Sequence, residues 1–177
     1  VRSAERGGAL NVEFTLQKWE PSLEPSLAES AKDARISAYM RDSFPYPYTP
    51  QSAREFIAFA SRQKRDIYYA IAVNGRAVGG IAVTLGQDVY AKSAEIGYWL
   101  NPAYWGKGIM TAAVRRICAE AFEKRDIARI HAEVFSPNAA SVRVLQKCGF
   151  VQEGIKKKSV FKRGKYYDSV VMALVKE

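Results

Sequence analysis

Cysteine and histidine are scarce in this sequence, two of the first and one of the second among 177 residues. Disulfide frameworks and tetrahedral metal sites draw on clusters of both, and no C-x-x-C or paired histidines occur here. Cys118 and Cys148 fall in segments expected to be helical and read as buried free thiols of a reducing compartment. No metal is expected. Long apolar runs are missing as well, so no segment reaches the roughly 20 residues of a membrane-spanning helix. No signal-peptide pattern opens the chain, and the expectation is a cytoplasmic protein without a membrane role. Repeats, linkers and low-complexity tracts are absent. A 48% hydrophobic content suits one domain over 12–177, preceded by a polar, glycine-bearing segment, 1–11, expected to be flexible. Acidic residues are outnumbered 18 to 27, for a net charge of +9. Such a surplus suits an anionic partner of some kind: coenzyme phosphates, an acidic protein, a membrane face or nucleic acid.

What is present is organised around 94–113. A strand, A-E-I-G-Y-W-L, stops at Asn101-Pro102, where proline removes a ladder donor. Gly106 and Gly108 punctuate the turn that follows, and a helix starts near Ile109. The first amides of that helix lack intrahelical partners and sit at its positive end. Strand, glycine turn and helix N-terminus together form a seat for phosphate or pyrophosphate. Lys107, between the glycines, adds charge. Further on, Asn138 is placed as an N-cap of a short helix, Gly149 as the glycine beyond its C-terminus, and Phe150 as its apolar closure.

Y-W-G-K-G-I-M, followed by N-x-x-S-x-x-x-L-x-K-x-G-F, resembles the GNAT superfamily of acetyl-CoA-dependent N-acetyltransferases. F-P-Y-P-Y-T at 44–49 and E-I-G-Y-W-L at 95–100 look most like the branch that acetylates ribosomal-protein N-termini. The resemblance implies an α/β fold: a mixed, mostly antiparallel sheet with one parallel strand pair, flanked by helices. The parallel pair would splay apart to admit acetyl-CoA. By the same resemblance, the cofactor-binding set is Tyr98, Trp99, Leu100, Trp105, Gly106, Lys107, Gly108, Ile109, Met110, Asn138 and Ser141. Amides of 105–109 would hold the pyrophosphate, and backbone groups of Tyr98 and Leu100 would bond the pantetheine arm as an added strand does. Ala103 stands where the family commonly has Gln or Arg, so one side-chain contact is missing.

In chain order, the alternation of 12–17 predicts a strand and 26–41 a helix. Pro45, Pro47 and Pro50 interrupt 42–50, where Phe44, Tyr46 and Tyr48 either wall the acceptor pocket or pack down on the core. Thr49-Pro50 starts a helix to about Gln63, expected to bury Phe56, Ile57, Phe59 and Ala60. Asn74-Gly75 joins two strands in a hairpin. The helix over 109–124 and the strand over 129–135 complete a crossover that makes this strand parallel to 94–100. Strands at 150–156 and 166–175 close the chain. The clusters Arg115-Arg116, Lys156-Lys157-Lys158 and Lys162-Arg163 read either as solvated surface or as attraction for phosphates or an acidic partner.

Transfer of acetyl from a thioester to an amine needs a free amine and a stabilised leaving thiolate. Glu95 is the first candidate base and Glu133, on the parallel neighbour, the second. Enclosure within the sheet would suit either to the role. A charge paired with Lys or Arg is the alternative reading of both. Many relatives carry a tyrosine on the short helix to protonate the thiolate; Leu145 matches that position here, leaving Ser141, four residues earlier, as the hydroxyl donor. His131 reads as a packed strand residue. No acyl-enzyme is needed, so the cysteines gain no catalytic role. The acceptor is a primary amine, by the branch resemblance a protein N-terminus; an aminoglycoside, a polyamine, or a non-catalytic acyl-CoA or nucleic-acid binding module are the alternatives. Nucleic acid is not expected as a substrate, and a homodimer is left open.

Overall fold

The computed structural model describes residues 12–177, and the segment 1–11 lies outside the described residues. Seven strands form one sheet in the order β1-β2-β3-β4-β5-β7-β6. They are β1 (Thr15–Lys18), β2 (Ile67–Val73), β3 (Arg76–Leu85), β4 (Ser93–Leu100), β5 (Arg129–Phe135), β6 (Val151–Lys162) and β7 (Lys165–Val175). Only β4 and β5 run parallel; every other neighbouring pair is antiparallel. This is the mixed sheet expected from the sequence. Asn74 and Gly75 both take positive φ, 49° and 74°, as a two-residue hairpin turn requires.

Side-chain alternation sends the two faces of the sheet into two different cores. Ile96 and Leu100 of β4, with Ile130 and Val134 of β5, pack under α4 (Ile109–Lys124) and α5 (Ala139–Lys147). Trp99 points the other way, into a smaller cluster with Trp19, Leu27, Tyr48 and Ile57, beneath α1 (Glu24–Ala31) and α3 (Pro50–Arg62). Gly80 makes room for it: a Cβ there would stand 2.6 Å from the Trp99 indole nitrogen. Thr49 caps α3 as expected, accepting from the Ser52 amide at 3.1 Å with Pro50 in the first position.

Several local expectations are corrected. The helix foreseen over 26–41 breaks after Ala31, and Asp33 starts a separate turn, α2 (Ala34–Ser37), by accepting from the Arg35 amide at 2.9 Å. Aspartate competes for backbone donors in this way and so favours caps over helix interiors. Strand β1 is shorter and later than 12–17. Phe59 remains half exposed and meets Tyr68 edge-on instead of entering the core. Strand β6 runs well past 156 because two irregularities, at 152–154 and 156–160, absorb extra residues.

Candidate active site

Strands β4 and β5 pair only through Ser93↔Arg129, Ala94↔Ile130 and Glu95↔His131, then part. Along β4 the residues that bond β3 alternate with those that face β5. The Gly86 amide donates to Ser93 O at 2.7 Å and the Asn101 amide to Val78 O at 2.8 Å, so the odd-numbered residues turn their backbone to β3. Ile96, Tyr98 and Leu100 therefore turn theirs to β5, and past Glu95 no strand takes them up. The Tyr98 amide and carbonyl and the Leu100 amide face an open wedge. Leu100 O is already claimed by the Trp105 indole N–H at 2.7 Å. Trp99, placed with the cofactor residues by sequence, does not turn toward the side of the wedge under α4 and α5: its backbone bonds β3 and its ring is buried on the opposite face.

Below the wedge, Asn101 sets the exit of β4. Its side chain accepts from the Ala103 amide at 2.9 Å and donates to Ser30 O at 3.1 Å, fixing the turn against α1. The amide of Trp105 closes that turn on Pro102 O, so it is not one of the free donors that the sequence suggested. The amides from Gly106 through Thr111 have no acceptor among the described residues. Gly106 and Gly108 hold φ of 71° and 75°, and Gly108 caps α4 without a side chain. Ile109 and Met110 bury their side chains in the core while their amides remain at the turn. The Lys107 ammonium lies 5.4 Å from the centre of the Tyr104 ring. Arg115 and Arg116, read as candidate phosphate attractors, are used elsewhere: Arg115 caps α5 through Lys147 O at 2.8 Å, and Arg116 lies over Phe14.

Strand β5 hands the chain to α5 at the other lip of the wedge. Asn138 caps α5, its side-chain oxygen accepting from the Ser141 amide at 3.3 Å. Gly149 takes φ of 87° at the far end, as expected. Ser141 Oγ meets the Tyr98 hydroxyl at 2.7 Å, so the phenol bridges β4 and α5 across the mouth. Burial pushes the Tyr98 phenol well above its ordinary range, which keeps it protonated. Sequence reasoning used Tyr98 for its backbone and missed this side chain, because no local pattern links a strand residue to a helix forty residues on. Leu145 is fully buried in the core cluster, whereas Ser141 is half-buried at the mouth.

The other face of the wedge carries the charged candidates. Glu95, Gly97 and Trp99 point there, and a Cβ added at Gly97 would meet nothing within 4 Å. Neither candidate base is enclosed: the side chains of Glu95 and Glu133 are 32% and 30% exposed. Glu95 pairs with Arg41, just past α2, and Glu133 with Lys156 on β6. His131 shares a 3.4 Å contact with Ser93 Oγ. A cleft of 460 Å³ lies among Glu95, Arg129, His131, Glu133 and Lys156, and a second of 280 Å³ lies among Met40, Asp42, Glu133, Phe161 and Lys162. Of the aromatic loop, Tyr48 is buried, and Phe44 meets it at a tilt and Trp99 edge-on, with ring centres 5.1 and 5.8 Å apart. Tyr46 alone stays exposed, under the Arg163 guanidinium. Among the described residues, no cluster of His, Cys, Asp or Glu is arranged to hold a metal, and no helix is long and apolar enough to cross a membrane.

A free strand edge that leads to amides without acceptors among the described residues has the chemistry to take a long amide-bearing carrier with phosphates at one end, as an acyl-CoA-dependent transferase requires. Comparison with known proteins gives the family. A model described as "Acetyltransferase (GNAT) domain" matches residues 13–151. The Bacillus subtilis protein "Probable N-acetyltransferase YjcK" is 35% identical over 133 residues, 72% of this chain and 74% of that one. The chain belongs to the GNAT acetyltransferase family, and it is an N-acetyltransferase that uses acetyl-CoA. Solved structures with the same fold include RimL, a ribosomal L7/L12 α-N-protein acetyltransferase in complex with coenzyme A. It has TM-score 0.82 and 22% identity, covering 94% of this chain and 96% of that one. Another is the Vibrio cholerae spermidine N-acetyltransferase in complex with CoA and spermine, with TM-score 0.76 and 21% identity over 92% and 95%.

Proposed function

We propose that the acceptor is the α-amine of a protein or peptide N-terminus, acetylated by direct transfer while both substrates are bound. The observation that carries this is the state of the carboxylates on the acceptor face. Glu95, Glu133 and Asp42 each already hold a basic partner, Arg41, Lys156 and Lys162. A polyamine needs unpaired carboxylates to receive several positive charges, and the +9 charge of the chain repels it. An α-amine, with an ordinary pKa of about 7.7–8.0, is partly neutral near pH 7.5, whereas an alkyl amine of the lysine type, near 10.4, is almost wholly charged. A half-buried, ion-paired Glu95 is adequate for the first and weak for the second. The likeness to RimL agrees with this choice, and the spermidine enzyme of the same fold represents the competing one.

In this reading the free amides of 106–111 hold the pyrophosphate, and the Tyr98 and Leu100 backbone aligns the pantetheine arm along β4. Acetyl-CoA supplies the activated acetyl group. Glu95, released by Arg41, takes the amine proton directly or through a water. Ser141 donates to the departing sulfur and regains its proton from water, while the Tyr98 hydroxyl hydrogen-bonds it and holds it in place. Thiol release over a panel of free peptide N-termini, Nα-blocked lysine peptides and spermidine tests the acceptor. At pH 7.5 the free N-termini are expected to turn over at least tenfold faster than the other two; faster turnover of spermidine overturns the reading.

A further inference from the structure

The smaller cleft contains a cation that neither the fold nor the acetyl transfer accounts for. Lys162, near the tip of the β6–β7 hairpin, is a buried basic residue, with its side chain 10% exposed. Its counterion is Asp42, at 2.7 Å, whose side chain is 85% exposed. Three other basic groups of the hairpin are engaged differently: Lys156 with Glu133, Lys157 with Asp168 at 3.0 Å, and Arg163 with Ser37 Oγ at 2.7 Å. A buried ammonium is costly without a partner, and it has three donors to fill. Asp42 fills one of them from the solvent side, at the entry to the proline-rich loop. An exposed carboxylate loses little by turning back to water, so another carboxylate can replace it at small cost.

The position of this pair gives it a use. Lys162 and Asp42 line the cleft together with Arg41 and Glu133, and Arg41 is the residue that holds Glu95. The cleft is therefore the continuation of the acceptor face away from the thioester. Arg41 and Asp42 are neighbours in the chain, and they hold Glu95 and Lys162 respectively. The two ends of this face are therefore linked through the side chains of adjacent residues, whose Cα atoms stand about 3.8 Å apart. An extended acceptor chain with its amine at Glu95 brings the side chain of its second or third residue within reach of Lys162.

We propose that Lys162 is an anion-recognition site for the acceptor: it exchanges Asp42 for a side-chain carboxylate of the incoming chain, so that favoured N-termini carry Asp or Glu within their first three residues. This rests on the reading of the acceptor as an N-terminus, and the test separates the two. The ζ-ammonium ¹⁵N resonance of Lys162, assigned by its loss in Lys162→Gln, is followed while a tripeptide with Asp at position two or three is added, and again with Asn in its place. The acidic peptides are expected to shift it and the Asn peptides to leave it in place. Absence of a shift with the acidic peptides overturns the carboxylate site whatever the acceptor proves to be. A shift without thiol release from any peptide supports the site and sinks the N-terminal reading instead. In kinetics, KM for the acidic peptide is expected to lie roughly tenfold below that for the Asn peptide. That ratio should collapse toward one in Lys162→Gln, and Asp42→Asn should lower the acidic-peptide KM further. Asp42 is exposed, so the second variant keeps the fold should the first fail to accumulate. An equal KM for acidic and Asn peptides in the unmodified chain rejects the proposal.

Discussion

The two faces of the wedge between β4 and β5 are built by different means. The face under α4 and α5 is apolar and closed, and its polar capacity is almost all backbone: the Tyr98 edge and the amides of 106–111. The Tyr98–Ser141 pair adds side-chain polarity. The opposite face is open and works through side-chain charges held in pairs, Arg41 with Glu95, Lys156 with Glu133 and Lys162 with Asp42. Backbone donors cannot move aside and suit a cofactor that is always the same. Each pair has one member in solvent, which can exchange its partner at small cost, and that suits an acceptor that must arrive, be read and leave. In the proposed reading the cofactor side is thus preformed, and the acceptor side is a set of exchangeable contacts.

Breaking the preformed side has the largest expected effect. Gly108→Val places a branched Cβ at φ of 75° among the free amides, where an L side chain is strained and would crowd a phosphate. Two or three charge-assisted hydrogen bonds are at stake, so acetyl-CoA affinity should fall by roughly a hundredfold or more. Calorimetry on the variant, with circular dichroism to verify the fold, decides this; unaltered affinity in a folded protein would move the phosphate seat elsewhere. Ser141→Ala should lower kcat by roughly ten- to a thousandfold while the acetyl-CoA affinity stays within a few-fold. Tyr98→Phe, which keeps the ring but removes the hydroxyl, should act in the same sense and more weakly. Full activity in Ser141→Ala would leave water as the proton source.

The same contrast explains how much was legible in the sequence. The glycine turn, the caps at Thr49 and Asn138, the Asn74-Gly75 hairpin and the parallel crossover are local or nearest-neighbour features, and the residues that make them stand beside one another. The pairs on the acceptor face span 54 residues for Arg41 with Glu95 and 120 for Lys162 with Asp42, and no periodicity encodes them. The break at Asp33 was visible only as an aspartate within an apolar pattern. The irregular course of β6 depends on Lys158 at φ of 49°, its amide held by the Asp168 carboxylate at 2.8 Å, which a run of three lysines does not announce. Trp99 was drawn into the cofactor set by its neighbours, although strand alternation already turned it away.

On the exchangeable side, effects should be graded by pH instead of all-or-none. Glu95→Gln removes the proton acceptor and frees Arg41, so the rate should come to follow the free-amine fraction alone. The loss is expected to be largest at low pH, where that fraction is small, and partly recovered as pH rises past the ordinary α-amine range of about 8. Rate profiles of the variant and the unmodified chain that run parallel across pH would take Glu95 out of the proton path and leave Glu133 to be tested in its place.

The smallest effect concerns the tyrosine that closes the acceptor side from below. Burial against α1, α3 and Trp99 pushes the Tyr48 phenol up to about 12. An unfolded chain releases that proton near pH 10. Between these values the folded state holds a proton that the unfolded state has given up, so stability falls as pH climbs. The contribution is whole below pH 10 and is lost as pH rises through 12. Tyr48→Phe keeps the ring in the packing and removes the ionisation. At pH 7 the substitution should change stability little, and the variant's advantage over the unmodified chain should then grow from pH 10 upward. Tyr98 and Cys118, both pushed upward by burial on the opposite face, keep titrating in the two proteins alike, Cys118 toward about 12. Their share therefore cancels in the difference. Urea midpoints measured at intervals from pH 8 to 11.5 give the answer: a constant gap between the two curves means that the Tyr48 phenol reaches solvent in the folded chain, and that the loop from Phe44 to Tyr48 lifts from the core instead of sealing it.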